Sequence, residues 1–251
     1  MNYPFEENEM PYGTLARFGL TQEMIDDLPT DVLKNIYNGH RSPVLPVHVT
    51  ADDGEEIIAR TKFSLIRKPD GTVDVLFYPK LDEYDLKLFN DNQQQSLMAG
   101  KAIMGNLENN MPGQEAGSKC FFQIDPESKQ VLSVPTPVIG RNIQYVADRY
   151  HLTGMELQKM QNGEILSILD ENEDEISVGI DLNSKTGIRF ASGDEEVWKR
   201  ESKRDWDKYH FGVFGCWMMS EDGNLDYVPE ENYTEEMWDE QKKLGMRMMQ
   251  R

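Results

Sequence analysis

Near the start of the chain apolar residues recur at helical spacing. Leu15, Phe18, Met24, Ile25, Leu28, Val32, Leu33 and Ile36 follow a period near 3.6, broken at Gly19 and Pro29, which predicts two short helices. Asn38-Gly39 closes the second. The period then falls to two. Val47 and Val49, Ile57 and Ala59, Phe63 and Leu65, and Val73, Val75 and Phe77 alternate with other residues, as half-buried strands require. Asp70-Gly71 between the last two predicts a tight hairpin with both central residues at positive φ.

This order recurs. In "LPTDVLKNIYNG", "FNDNQQQSLMAG" and "LTGMELQKMQNG" an apolar residue (Leu28, Phe89, Leu152) is followed eight positions on by another (Ile36, Leu97, Met160) and three further by Gly39, Gly100 or Gly163. Two apolar residues about two turns apart share a helix face, and the glycine supplies the left-handed residue that ends the helix. Strand signals follow each time, and "QIDPESKQ" (123–130) and "GIDLNSKT" (179–186) share an Ile-Asp-x-x-Ser-Lys turn. The expected fold is α+β, with tandem helix-plus-antiparallel-hairpin units stacked on one another. The boundaries drawn are 1–12 for a flexible N-terminus, 13–82, 83–145 and 146–192 for three units, and 193–251 for a non-repeating C-terminal segment. In that segment Thr234, Met237, Gln241, Leu244 and Met248 mark a capped terminal helix.

"VWKRESKRDWDKYHF" (197–211) is the candidate partner surface: Trp198, Lys199, Arg200, Lys203, Arg204, Trp206, Lys208 and Tyr209 interleave basic and aromatic groups. The alternative is an edge element with its aromatics in the core and its charges paired by Glu201, Asp205 and Asp207.

Composition narrows the chemistry. The 251 residues carry 45 acidic and 26 basic side chains, a net charge of -19, which repels nucleic acid and anionic lipid. No run is long and apolar enough to span a membrane, and the N-terminus lacks a signal-peptide pattern, so a cytoplasmic location is expected. Cys120 and Cys216 read as two buried free thiols. No phosphate loop, dinucleotide fingerprint or nucleophile elbow occurs. His40, His48, His151 and His210 stand too far apart to form a sequence-local metal pair. No cofactor, metal or catalytic residue is assigned. Asp125 and Asp181 read as turn residues that cap their own backbone, and "DENEDE" (170–175) as a solvated hairpin tip.

The segments "PYGTLARFGLTQEMI", "LPTDVLKNIYNGHRSPVLPV", "FFQIDPESKQVLSVPTPVIG" and "LTGMELQKMQNGEIL" together resemble the paired domains of unknown function found in conjugative elements of Bacteroidota, over about residues 11–190. Lys129 stands where that family's turn more often has Asn. The resemblance implies a mobile-element accessory module without an assigned activity. The expected function is a non-enzymatic interaction module that binds a protein partner through a sheet edge or the aromatic C-terminal segment. Two alternatives stand beside it: an acidic decoy that imitates DNA toward a host restriction or defence protein, and nucleic-acid binding through residues 198–211.

Overall fold

The computed structural model describes residues 4–50, 54–106, 118–184, 186–201, 207–220 and 223–249. These residues form eight α-helices and twelve strands, the strands in four three-stranded antiparallel sheets, so the fold is α+β. The chain divides into two compact units, 1–80 with 205–251 and 81–204.

In the first unit, the two helices expected from the periodicity are three: α1 (Tyr12–Ala16), α2 (Gln22–Asp26) and α3 (Thr30–Tyr37). They pack on a meander of β1 (Leu45–Thr50), β2 (Glu56–Arg67) and β3 (Val73–Pro79). The β2–β3 turn forms at Asp70-Gly71, but only Gly71 has positive φ, at 85°. The Asp70 carboxylate accepts from the Thr72 amide, so the turn is held by a side chain rather than by two left-handed residues. Residues 4–12, expected to be loosely held, are anchored. Phe5 and Met10 are buried, the Phe5 amide donates to the Tyr37 carbonyl, and Arg67 clamps Glu9 through both carboxylate oxygens at 2.8 and 3.0 Å. Apolar residues two and seven positions before Tyr12 have a core to enter, which overrides the local acidity.

The same unit takes in the chain's last part. Strands β10 (Tyr209–Phe211), β11 (Gly215–Met219) and β12 (Leu225–Pro229) form another meander, followed by a 3-10 turn (Glu230–Asn232) and α8 (Glu235–Met249). Trp217 and Leu225 join Leu15, Ile25, Ile36 and Phe63 in one core. The Arg60 guanidinium grips Asp226 and the Leu225 carbonyl, and Lys80 donates to Asn224. The expected non-repeating segment therefore contributes a meander like the other three.

The second unit holds α4 (Asp91–Met98) with β4 (Ile103–Asn106), β5 (Lys119–Ile124) and β6 (Val131–Pro135). It continues through α5 (Thr136–Arg149) to α6 (Gly154–Gln161) with β7 (Leu166–Leu169), β8 (Glu175–Ile180) and β9 (Ile188–Ser192), and ends on α7 (Glu195–Glu201). Asn90 and Thr153 cap α4 and α6 with matching capping boxes. Both helices end at glycines of φ 77° and 79°, and the amides of Lys101 and Glu164 reach back to the carbonyls of Ser96 and Lys159. The α3 terminus, with Gly39 at 82° and the His40 amide bonded to the Asn35 carbonyl, has the same geometry. The two Ile-Asp bends occupy equivalent β5–β6 and β8–β9 turns. Asp125 accepts from the Glu127 amide, and Asp181 from the Asn183 amide. Gln123 fastens the two halves of the unit: its amide oxygen accepts from the Leu182 amide, and its nitrogen donates to the carbonyls of Gly100 and Ile180.

Helix α5 replaces what the boundary at 145–146 treats as a joint between units. Pro135-Thr-Pro137 looks like a breaker, yet proline in the first helical turn removes only an amide without a helical partner. Ile139, Ile143, Val146 and Ala147 form its buried stripe. Among the described residues, no helix is long and apolar enough to cross a membrane.

Candidate interaction surface

The β10–β11 hairpin and the start of α8 assemble a row of aromatic rings on the first unit. Tyr209 lies 5.8 Å from Phe211, Phe211 meets Tyr233 edge-to-face at 5.6 Å, and Tyr233 meets Trp238 edge-to-face at 5.1 Å. Edge-to-face pairs fix ring orientation while leaving ring area uncovered. Tyr209, Phe211 and Tyr233 are half-buried, and Trp238 is 37 % exposed. At the hairpin tip Val213 and Phe214 are 79 % and 49 % exposed, and the Phe214 carbonyl accepts from the Glu230 amide, which brings the tip beside the turn that leads to Tyr233.

This exposed row rests on a rigid base. Asp27, buried at the end of α2, accepts from the amides of Val213 and Phe214 and from the Tyr227 hydroxyl at 2.6 Å. A Cβ on Gly212 would fall 2.1 Å from the Asp27 carboxyl carbon, and one on Gly215 would fall 2.6 Å from the Tyr227 ring. The turn "FGVFG" therefore needs both glycines to close over the carboxylate. The Trp217 indole N–H donates to the Met24 carbonyl at 2.9 Å and so ties the middle strand to the same helix. Burial and the Asp27 hydrogen bond push the Tyr227 phenol well up, and burial above all raises the Cys216 thiol to about 11. A thiol held protonated inside a core is no nucleophile. Burial also lowers His210, against the opposing pull of Asp31, Asp207 and Asp27.

The sequence-derived candidates divide. Lys208 and Tyr209 belong to this surface: the Lys208 ammonium lies 4.9 Å from the Tyr209 ring centre and pairs with Glu236 at 2.7 Å. Trp198, Lys199 and Arg200 stand on α7 in the second unit. There Trp198 is buried, its indole donates to the Arg189 carbonyl, and the Arg189 guanidinium stacks on its ring at 3.7 Å. Arg189 in turn binds Asp181 and the Trp198 carbonyl, so one ring face is already occupied within the fold. Lys199 pairs with Glu195 and Glu196. Lys203, Arg204 and Trp206 lie outside the described residues. The composition of 197–211 pointed to aromatics and bases together, whereas Phe211, Tyr233 and Trp238 converge only through the hairpin and the turn before α8. The one available signal was the capped start of α8 at Thr234, whose hydroxyl accepts from the Met237 amide.

Cys120 and Cys216 are both buried free thiols. Among the described residues, no cluster of three or more His, Cys, Asp or Glu side chains is placed to hold a metal ion.

Residues 5–88 match the family described as "Protein of unknown function (DUF4099)". The DUF4099 match covers α1 to α3, the β1–β3 sheet and the first residues of the second unit. It overlaps only the first part of the stretch, 11–190, over which a family resemblance is expected from the sequence. Asp27 and Trp217's partner Met24 fall inside the DUF4099 match, while the aromatic row falls outside it. No curated protein and no solved structure matches the chain.

Proposed function

We propose that the chain is a non-enzymatic accessory module of a mobile genetic element, acting in the cytoplasm, that binds a protein partner through the aromatic row and hairpin tip of residues 209–238. The observation that carries this reading is the exposure of Val213 and Phe214 on a turn locked from beneath by Asp27, with Trp238 exposed at the end of the ring row that passes through Tyr233. Pre-ordered aromatics lose little conformational freedom on binding and are the residues on which interface energy concentrates. The mobile-element context rests on the sequence resemblance alone.

The test is cross-linking capture from host and donor-element lysates with wild-type protein beside a Phe214→Ala/Trp238→Ala variant of unchanged thermal stability. A partner held by the wild type and lost by the variant supports the reading; a partner held equally by both sinks it. The net charge of -19 favours a second reading, an acidic decoy directed at a DNA-binding host defence protein. In that case duplex DNA would compete for the captured partner. Nucleic-acid binding by residues 198–211 draws less support, because Trp198 is buried and Lys199 is paired.

A further inference from the structure

We propose that the partner segment seated on the aromatic row is cationic, a short peptide stretch that combines Lys or Arg with apolar side chains. This inference rests on the reading that the row is a binding surface, and it adds the chemistry of what binds there. From Glu230 to Glu240 the chain "EENYTEEMWDE" carries six carboxylates and no basic residue around Tyr233 and Trp238. Glu230, Glu231 and Glu235 are exposed on this rim. Lys208 is engaged by Glu236, and Lys242 and Lys243 lean on Asp239 and Glu240.

Aromatic faces attract guanidinium and ammonium groups through their quadrupoles, and nearby carboxylates reinforce that attraction. The same rim repels a phosphate backbone or an anionic lipid surface. Apolar anchors on the partner would meet Val213 and Phe214 at the tip. The acidity of this face is local and so differs from the diffuse field of the whole molecule, which a control can separate.

The probes are a fluorescein-labelled twelve-residue peptide of Lys, Arg, Leu and Phe and a counterpart in which Glu replaces every basic residue. Anisotropy titrations would use the full chain. The basic peptide should bind wild type, weaken by about tenfold with Trp238→Ala and by a similar factor with Glu230→Gln/Glu231→Gln/Glu235→Gln. A triple Glu171→Gln/Glu173→Gln/Glu175→Gln variant, with the same change in net charge on another hairpin, should leave binding unaltered. Equal weakening by both triple variants, or no binding of the basic peptide at all, would overturn the proposal. Binding of the Glu peptide that is lost with Trp238→Ala would overturn the cationic assignment yet keep the row as a binding surface. Indifference of both peptides to Trp238→Ala would remove the row itself.

Discussion

Asp27 concentrates more of the first unit's stability than any exposed charge can, because it is buried and receives two backbone amides and a phenol from a segment 186 to 200 residues further along the chain. Asp27→Ala strands those donors, and the expected loss is about 3 kcal/mol in urea unfolding monitored by Trp fluorescence. A loss within a few tenths of a kcal/mol would mean the turn closes without the carboxylate. Glu9 offers a contrast at the surface. Its hydrogen bonds to Arg67 hold its carboxyl down at about 2 against an ordinary 4.5. On acidification the unfolded chain takes up the proton first, so this stabilisation is intact above about pH 4.5 and disappears as pH falls toward 2. Glu9→Gln should lower the plateau above about pH 4.5 by a small amount, leave stability near pH 2 unchanged, and so flatten the part of the acid-unfolding curve between them. A wild-type slope retained in the variant would assign the acid limb to other carboxylates. Neither residue announced its role in sequence: Asp27 sits beside Asp26 in "MIDDLPT", and only the arrival of the 212–215 turn distinguishes the two.

Elements that repeat locally were the most legible, because their signals lie within one turn of helix or one hairpin. The Gly39, Gly100 and Gly163 terminators and the Asp125 and Asp181 bends could be read from spacing, and all take the geometry that spacing demands. What failed were elements whose cues conflict locally. The prolines of α5 disguised a helix start, and the shortness of β10, three residues, hid the fourth meander. Equal terminators also need not be equally tolerant. A Cβ at Gly100 would enter open space, whereas at Gly163 it would lie 1.9 Å from the Ala102 carbonyl oxygen. Gly100→Ala should therefore cost only the strain of a left-handed alanine, about 1–2 kcal/mol. Gly163→Ala must also push α6 away from the strand entry at Ala102, and should lower the melting temperature several degrees further. Equal melting temperatures for the two variants would show that this close approach relaxes freely.

At the scale of the molecule, the first unit is discontinuous: residues 1–80 meet 205–251, with the whole of 81–204 between them in sequence. Helical and strand periodicity carries no information about such a return, which is why residues 193–251 read as a non-repeating segment with a capping helix at the end of the stacked units. The DUF4099 match ends at residue 88, yet the core it encloses takes Trp217 and Leu225 from beyond that limit, and Asp27 takes all its turn donors from there. A fragment of residues 1–88 would leave the space for Trp217 open and the Asp27 carboxylate without its partners, a combined loss comparable with the stability of a small domain. It should give poorly dispersed amide resonances and no cooperative melt. Residues 81–204 contain two cores of their own, one around Ile143 and Met160 and one around Leu97 and Phe122, and should fold alone. Supplying residues 205–251 in trans should restore dispersion to the 1–88 fragment. If 1–88 melts cooperatively without that addition, the β10–β12 meander is an accessory docked on a finished domain, and the aromatic row would then stand on a base that can detach.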